Sequence, residues 1–216
     1  MKKKHMDNRP MLNLYPDSLG GTVESLCQIL DREEFADVFS SVYILPSIYH
    51  SDLDRGFSVI DYDLEGKYAS KESLKRLQKN GLYLKLDFVL NHASVQSPQF
   101  QDLLEHGKKS AYKDFFIDWN AFWEGCGTMT DEGYLMPEKA YLEKMFFRKP
   151  GLPVLMVEFA DGSRAPYWNT FYQEIRQTAD YRKRYLGQMD LNIRSQAVWD
   201  FYKETIGKLA GYGAKI

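Results

Sequence analysis

An α/β fold is predicted over residues 11–92, and three observations carry it. Apolar strand-length runs alternate with amphipathic helical stretches, the helical stretches open at the N-capping residues Thr22 and Ser70, and Pro or Gly punctuates the joins. Strand, helix, strand, helix, strand is the order of parallel strands joined by right-handed crossovers.

In chain order, residues 1–10 read as a disordered lead-in. Met1-Lys2-Lys3-Lys4-His5 is basic, but no apolar run follows it, so it is not a secretory signal. Met11–Tyr15 is a short strand closed by Pro16-Asp17. Gly20-Gly21 lacks the G-x-G-x-x-G spacing of a dinucleotide site. Thr22 caps a helix with Val23, Leu26, Ile29 and Leu30 on one face. Ser41–Leu45 is a second buried strand, stopped by Pro46. Ser47–Tyr62 reads as a long loop holding Tyr49, His50, Asp52, Asp54, Arg55, Phe57 and Asp61; loops longer than about 12 residues in a compact unit are usually functional. Ser70 then caps a helix through Leu74 and Leu77 that stops at Asn80-Gly81.

Leu84–His92 follows as a buried third strand. Alternation sets Leu84, Leu86, Phe88 and Leu90 on one face and Lys85, Asp87, Val89 and Asn91 on the other. A buried carboxylate is costly unless hydrogen-bonded, so Asp87 is paired or at work. Strand carboxyl ends also carry the chemistry of α/β enzymes. This strand end is therefore a site candidate.

Beyond His92 the alternation breaks. Residues 11–106 give the first three β/α units, 107–190 an aromatic-rich inserted subdomain, and 191–216 a further helix and the start of a fourth strand. Ser195 caps that helix, whose Val198, Phe201, Tyr202, Ile206 and Leu209 share a face, and Ala214-Lys215-Ile216 begins the strand. Three parallel strands and the start of a fourth leave open edges, which folded proteins avoid. The chain thus reads as the truncated N-terminal part of a (β/α)8 TIM-type barrel, with a subdomain inserted after the third strand.

Bulk composition narrows the function. Lys+Arg 28 against Asp+Glu 30, dispersed along 216 residues, leaves no nucleic-acid footprint. No apolar run approaches the roughly 18 residues a membrane helix needs. Neither nucleic acid nor membrane is expected as a partner, and oligomeric state is left open. Cys27 and Cys126 form no CxxC pair and read as buried thiols of a cytoplasmic protein. Aromatic residues make up 15% of the chain; core packing accounts for them, with sugar-stacking platforms as the sharper alternative. His5, His50 and His106 show no ligand spacing, which argues against zinc.

Several of these stretches resemble a known family. Asp87-Phe-Val-Leu-Asn91-His92 is similar to the first conserved region of the α-amylase family of glycoside hydrolases, at the end of its third barrel strand. Gln188-Met-Asp190-Leu-Asn192 is similar to that family's short region at the exit of the inserted B domain. Tyr15-Pro16-Asp17-Ser18-Leu19-Gly20, Ile44-Leu45-Pro46, Asp54-Arg55-Gly56-Phe57, Phe100-Gln101-Asp102 and Arg148-Lys149-Pro150 are most similar to its sucrose phosphorylase branch, with relatives acting on sucrose 6′-phosphate or glucosylglycerol-type substrates. The resemblance covers nearly everything from residue 11 to 216.

It implies retaining chemistry. A carboxylate nucleophile forms a glucosyl-enzyme, a second carboxyl group protonates the leaving oxygen, and phosphate attacks the intermediate. It places the nucleophile a few residues beyond Ile216 and the acid/base group further on, so no catalytic residue is expected within the chain and the 216 residues alone are expected to be inactive. Half of a glucose pocket is implied instead: Asp54 on glucosyl hydroxyls, Phe57 as an apolar wall, and His92 on the hydroxymethyl group, with Asp87 and Asn91 bracing it. Each has a competing structural role, as a solvated carboxylate beside Arg55, a packed loop aromatic and a satisfied core histidine. Arg148 and Lys149 are candidate contacts to an anionic acceptor or phosphate; ordinary surface cations are the competing reading. Asn91 and Asp190 match positions that serve calcium in many amylases, but the phosphorylase branch resembles a metal-free enzyme. No metal and no cofactor are expected, with a sugar as substrate and inorganic phosphate as co-substrate. The alternatives are a hydrolase of the same family and a non-catalytic truncated barrel with at most weak sugar binding.

Overall fold

The computed structural model describes residues 8–216. Of the anticipated lead-in, residues 1–7, His5 among them, lie outside the described residues. Ser40 donates to the main-chain oxygens of Arg9 (2.8 Å) and Pro10 (3.0 Å), so the chain is anchored there. Two units follow: one runs to Phe88 and resumes over Lys203–Ile216, the other is Val89–Tyr202.

The first unit holds β1 (Met11–Leu14), α1 (Val23–Leu30), β2 (Ser41–Ile44), β3 (Tyr49–Leu53), β4 (Ser58–Leu64), α2 (Lys71–Lys79) and β5 (Tyr83–Leu86). β1, β2 and β5 pair in parallel and in chain order, with Leu14, Ile44 and Leu86 in register. Ala214 adds a parallel bridge to Leu84, and Lys215 N donates to Leu84 O at 2.8 Å. Neighbours in chain order are the arrangement of a (β/α) barrel; a doubly wound sheet reverses its order.

One face of this sheet is aliphatic: Val42 and Ile44 are fully buried, and Leu84 and Leu86 nearly so. The stripes Val23, Leu26, Cys27 of α1 and Leu74, Leu77 of α2 are also fully buried. Each such side chain contributes about 1.5–3 kcal/mol. The caps form as the sequence indicates. Ser25 N donates to Thr22 Oγ1 (3.0 Å), and Ser70 and Ser73 exchange main-chain-to-hydroxyl bonds at 3.0 and 3.1 Å. Arg76 of α2 then bonds both Glu24 and Asp31 of the α1 region.

Two expectations fail in this unit. The Ser47–Tyr62 loop is instead an antiparallel hairpin, β3 with β4, with Ser51 opposite Val59 and Leu53 opposite Ser58. Its buried Tyr49, Val59 and Tyr62 are interleaved with polar residues that mask the strand signal. The third strand does not reach His92; it stops at Leu86 because β2, its partner, ends opposite it at Ile44 just before Pro46. Alternation lapses from there, with Val89 buried and Leu90 about half exposed.

The second unit is built from short antiparallel pieces. β6 (His92–Ser94) leads to α3 (Pro98–His106), α4 (Trp119–Phe122), β7 (Gly127–Met129), β8 (Leu135–Pro137), α5 (Lys139–Leu142), β9 (Val154–Glu158), β10 (Arg164–Trp168), β11 (Gln173–Ile175) and β12 (Tyr185–Asp190). The sheet order β11-β12-β6 brings the end of this stretch back to its start. The anticipated subdomain of 107–190 is narrower than this unit, because α3 joins its core. Phe100 meets Phe116 edge-to-face at 5.3 Å, and Phe115 meets Phe116 at 5.1 Å. Much of the aromatic content is thus core.

The last helix, α6, spans Gln196–Gly211. Its buried residues are Val198, Tyr202, Thr205 and Leu209; Ile206, expected on that face, is exposed. Cys27 is buried, Cys126 is half-buried rather than buried, and both are free thiols. Among the described residues no helix is long and apolar enough to cross a membrane.

Candidate active site

The second face of the parallel sheet is polar. Asn13, Tyr43 and Lys85 stand in register across β1, β2 and β5. The Lys85 ammonium lies 4.0 Å above the Tyr43 ring. Asp87, just past β5, accepts a 2.7 Å hydrogen bond from Tyr43 Oη at Oδ1, and its main-chain oxygen accepts from Tyr49 Oη at 3.2 Å. Its second carboxyl oxygen is buried without a partner among the described residues. Burial pushes the Asp87 carboxyl above its ordinary range, against the Tyr43 hydrogen bond. Burial and the neighbouring Asp87 push the Tyr43 hydroxyl up to about 12. Within the first unit, the Asp87 carboxyl group is held by Tyr43.

The hairpin tip between β3 and β4 holds Asp54 and Phe57 in an unusual backbone. Asp54 (φ 55°), Arg55 (φ 50°) and Gly56 (φ 103°) are three consecutive left-handed residues. Such conformations cost a non-glycine residue about 1–3 kcal/mol and persist only where surroundings impose them. Two contacts impose this one. Gly56 packs so closely on the Pro46–Ser47 main chain that an added Cβ would lie 2.3 Å from Ser47 N. Arg55 donates to both carboxylate oxygens of Asp17 (2.8 and 3.3 Å) and to Ser18 Oγ (2.6 Å), with its guanidinium 3.9 Å above the Tyr15 ring. Asp54 itself is exposed, and its carboxylate has no partner among the described residues. Two motifs singled out in the sequence, Tyr15–Gly20 and Asp54–Phe57, are thereby joined through Arg55.

In the second unit, β6 pairs with β12 so that His92 stands opposite Asp190. His92 is 7% exposed, and its Nδ1 lies 3.0 Å from Asn91 Oδ1. Asn91 is therefore the brace, fixing the ring as a neighbouring amide oxygen can. The imidazole also packs on Phe171 at 4.2 Å between ring centroids, and the exposed Arg148 guanidinium lies 5.1 Å above the same Phe171 ring.

Lys149 points elsewhere. Its Nζ donates to Asn169 Oδ1 (2.5 Å) and Phe171 O (3.0 Å), so in this structure its charge is engaged within the second unit. Asp190 accepts from Thr170 N at 2.7 Å. Burial pushes Asp190 up to about 6 and Lys149 down, and each charge moderates the shift of the other. Lys149, Asp190 and the fully buried Asn169, which donates to Gln188 O at 2.6 Å, clamp residues 169–171 and so fix Phe171. His50 and His106 are each paired with a carboxylate, Asp61 at 2.9 Å and Asp102 at 3.2 Å.

Sequence reasoning missed Tyr43, Asp17 and Phe171. Each acts across a long stretch of chain, and only Asp17 lay in a motif already quoted.

Residues 38–210 match the family described as alpha amylase, catalytic domain. The chain is 57% identical over 214 residues to sucrose 6(F)-phosphate phosphorylase of Ilumatobacter coccineus, covering 99% of this chain and 41% of that protein. It is 32% identical to sucrose phosphorylase of Streptococcus mutans, covering 97% of this chain and 38% of the relative. The crystal structure of sucrose 6F-phosphate phosphorylase from Thermoanaerobacter thermosaccharolyticum superposes with a TM-score of 0.78 at 32% identity, covering 99% of this chain and 39% of that one. The chain spans about two-fifths of the length of these relatives.

Proposed function

The chain belongs to the alpha-amylase family as the N-terminal part of a (β/α)8 barrel, and from this we propose that the whole protein is a retaining glycoside phosphorylase. It transfers glucose from sucrose 6F-phosphate, or from sucrose itself, to inorganic phosphate and releases glucose 1-phosphate. The observation that carries this reading is 57% identity, over nearly the whole chain, to a sucrose 6(F)-phosphate phosphorylase.

In this reading residues 107–190 are the inserted B domain. The nucleophile and the acid/base carboxyl group belong to sequence outside these 216 residues. The present residues bind. Asp54 offers an exposed carboxylate to glucosyl hydroxyls, and Phe57 supplies an apolar wall. His92, braced by Asn91 and backed by Phe171, bonds the hydroxymethyl group. Arg148, exposed above Phe171, is suited to an anionic acceptor, because guanidinium binds phosphate in a bidentate manner. This favours the phosphorylated disaccharide. Asp87, held by Tyr43, supports the site without reacting. No cofactor or metal enters the scheme, and two free thiols suit a cytoplasmic setting.

The test is made on the full-length protein, supplied with sucrose or sucrose 6F-phosphate with and without phosphate. Phosphate-dependent glucose 1-phosphate is expected, more readily from the phosphorylated donor. Free glucose regardless of phosphate would instead mark a hydrolase. His92→Ala is expected to lower turnover by orders of magnitude with the melting temperature retained, and wild-type kinetics would reject its assigned role.

A further inference from the structure

We propose that Arg55 is a positioning residue for the glucosyl donor: it locks the hairpin tip so that the Asp54 carboxylate is held ready to bind. The inference rests on the assignment of Asp54 to glucosyl hydroxyls. Arg55 directs its Nε–H and Nη2–H donors to the neighbouring loop, onto Asp17 at 2.8 and 3.3 Å and Ser18 at 2.6 Å. The flat guanidinium also lies 3.9 Å over Tyr15. A bidentate, stacked arginine of this kind fixes direction as well as distance, which a lysine cannot reproduce.

What it fixes is strained. Asp54 and Arg55 both hold φ near +50° without being glycine. A short 3₁₀ turn, closed by Phe57 N donating to Asp54 O at 3.2 Å, spans the tip inside the Leu53–Ser58 pair. Released from Asp17, the two residues relax toward ordinary backbone angles and the Asp54 carboxylate swings with them. Asp17 and Ser18 follow β1, whereas Asp54 belongs to the β3–β4 hairpin. Arg55 therefore makes the geometry of Asp54 depend on a loop from another strand. Pre-organisation of a binding group through such a supporting contact governs rate more than fold.

The test uses the full-length protein and glucose 1-phosphate release, with Asp54→Ala, Arg55→Ala, Arg55→Lys, Asp17→Asn and the double variant Asp54→Ala/Arg55→Ala. Arg55→Ala is expected to lower kcat/KM for the disaccharide donor about 10- to 100-fold while leaving KM for phosphate unchanged. Arg55→Lys is expected to recover only part of this, and the double variant to be no worse than Asp54→Ala. If Arg55→Ala does not fold, Asp17→Asn, which keeps the shape and removes the charge, carries the same expectation. Wild-type kcat/KM in Arg55→Ala or Asp17→Asn overturns the proposal. So does a loss that is repeated in full in the Asp54→Ala background, since Arg55 would then act independently of Asp54. Wild-type kinetics in Asp54→Ala would sink the assignment of Asp54 itself, a result that does not depend on Arg55.

Discussion

Replacing Gly56 by alanine probes the hairpin tip where backbone and site meet. The new Cβ would lie 2.3 Å from Ser47 N, 2.5 Å from Pro46 C and 2.6 Å from Ser47 Cα. All three are main-chain atoms, so no side-chain rotation relieves the overlap. Overpacking of this kind costs roughly 1–3 kcal/mol. The left-handed φ of 103° adds about 1–2 kcal/mol for any residue bearing a Cβ. The total of about 2–5 kcal/mol has two outlets. If the tip stays in place, the full-length protein melts measurably lower. If the tip lifts away, stability is largely kept, but Asp54 and Phe57 move with it and donor kcat/KM falls at least tenfold. Melting temperature and kinetics are therefore measured on the same preparation. Wild-type values in both would refute the packing of Gly56 on the Pro46–Ser47 main chain.

Two further predictions concern buried carboxyl groups. Tyr43→Phe removes the only side-chain donor to Asp87 among the described residues and is expected to cost about 1–3 kcal/mol. The Asp87 pKa is already raised, so the folded form prefers the proton and the penalty grows as pH rises; equal loss in melts at pH 5 and pH 8 would contradict this. Asp190, raised to about 6, binds its proton more tightly in the folded than in the unfolded chain, so its contribution to stability falls as pH climbs from about 4 to 6. Asp190→Asn is expected to remove that slope, and a difference from wild type that is constant across pH 4–7 would count against it.

The local signals in the sequence were read correctly where one element decided them. Thr22 and Ser70 cap their helices because capping is settled within three residues. The third strand looks longer in sequence than it is because Val89 and Leu90 continue the apolar run, while the length of β5 is set by its partner β2 and Pro46. The hairpin was hidden because Asp52, Asp54 and Arg55 interrupt its apolar period. Hydropathy alone puts Ile206 on the buried face, yet the face chosen by Tyr202 and Leu209 passes through Thr205. Of the candidate site, Asp54, Phe57, Asn91 and His92 stand out in the sequence through motif likeness alone. Arg55 was named only as a neighbour, since its link to Asp17 spans 38 positions and periodicity carries no trace of it. The hydrogen bonds of Lys149 are illegible for the same reason: its partners Asn169 and Phe171 lie in a stretch with no regular pattern.

The bridge from Leu84 to Ala214 sets a timetable for synthesis. As the nascent chain emerges at roughly 5–20 residues per second, β1, β2 and β5 each meet a partner soon after they appear. The outer edge of β5 then waits while the whole of Val89–Tyr202 is translated, and only afterwards does Ala214 arrive to cover it. Loop closure over that distance adds little at equilibrium, about 0.6 kcal/mol per doubling of length. The burden is kinetic: for several seconds of every translation round an unpaired parallel edge stays open to neighbouring chains. Slower translation lengthens that interval.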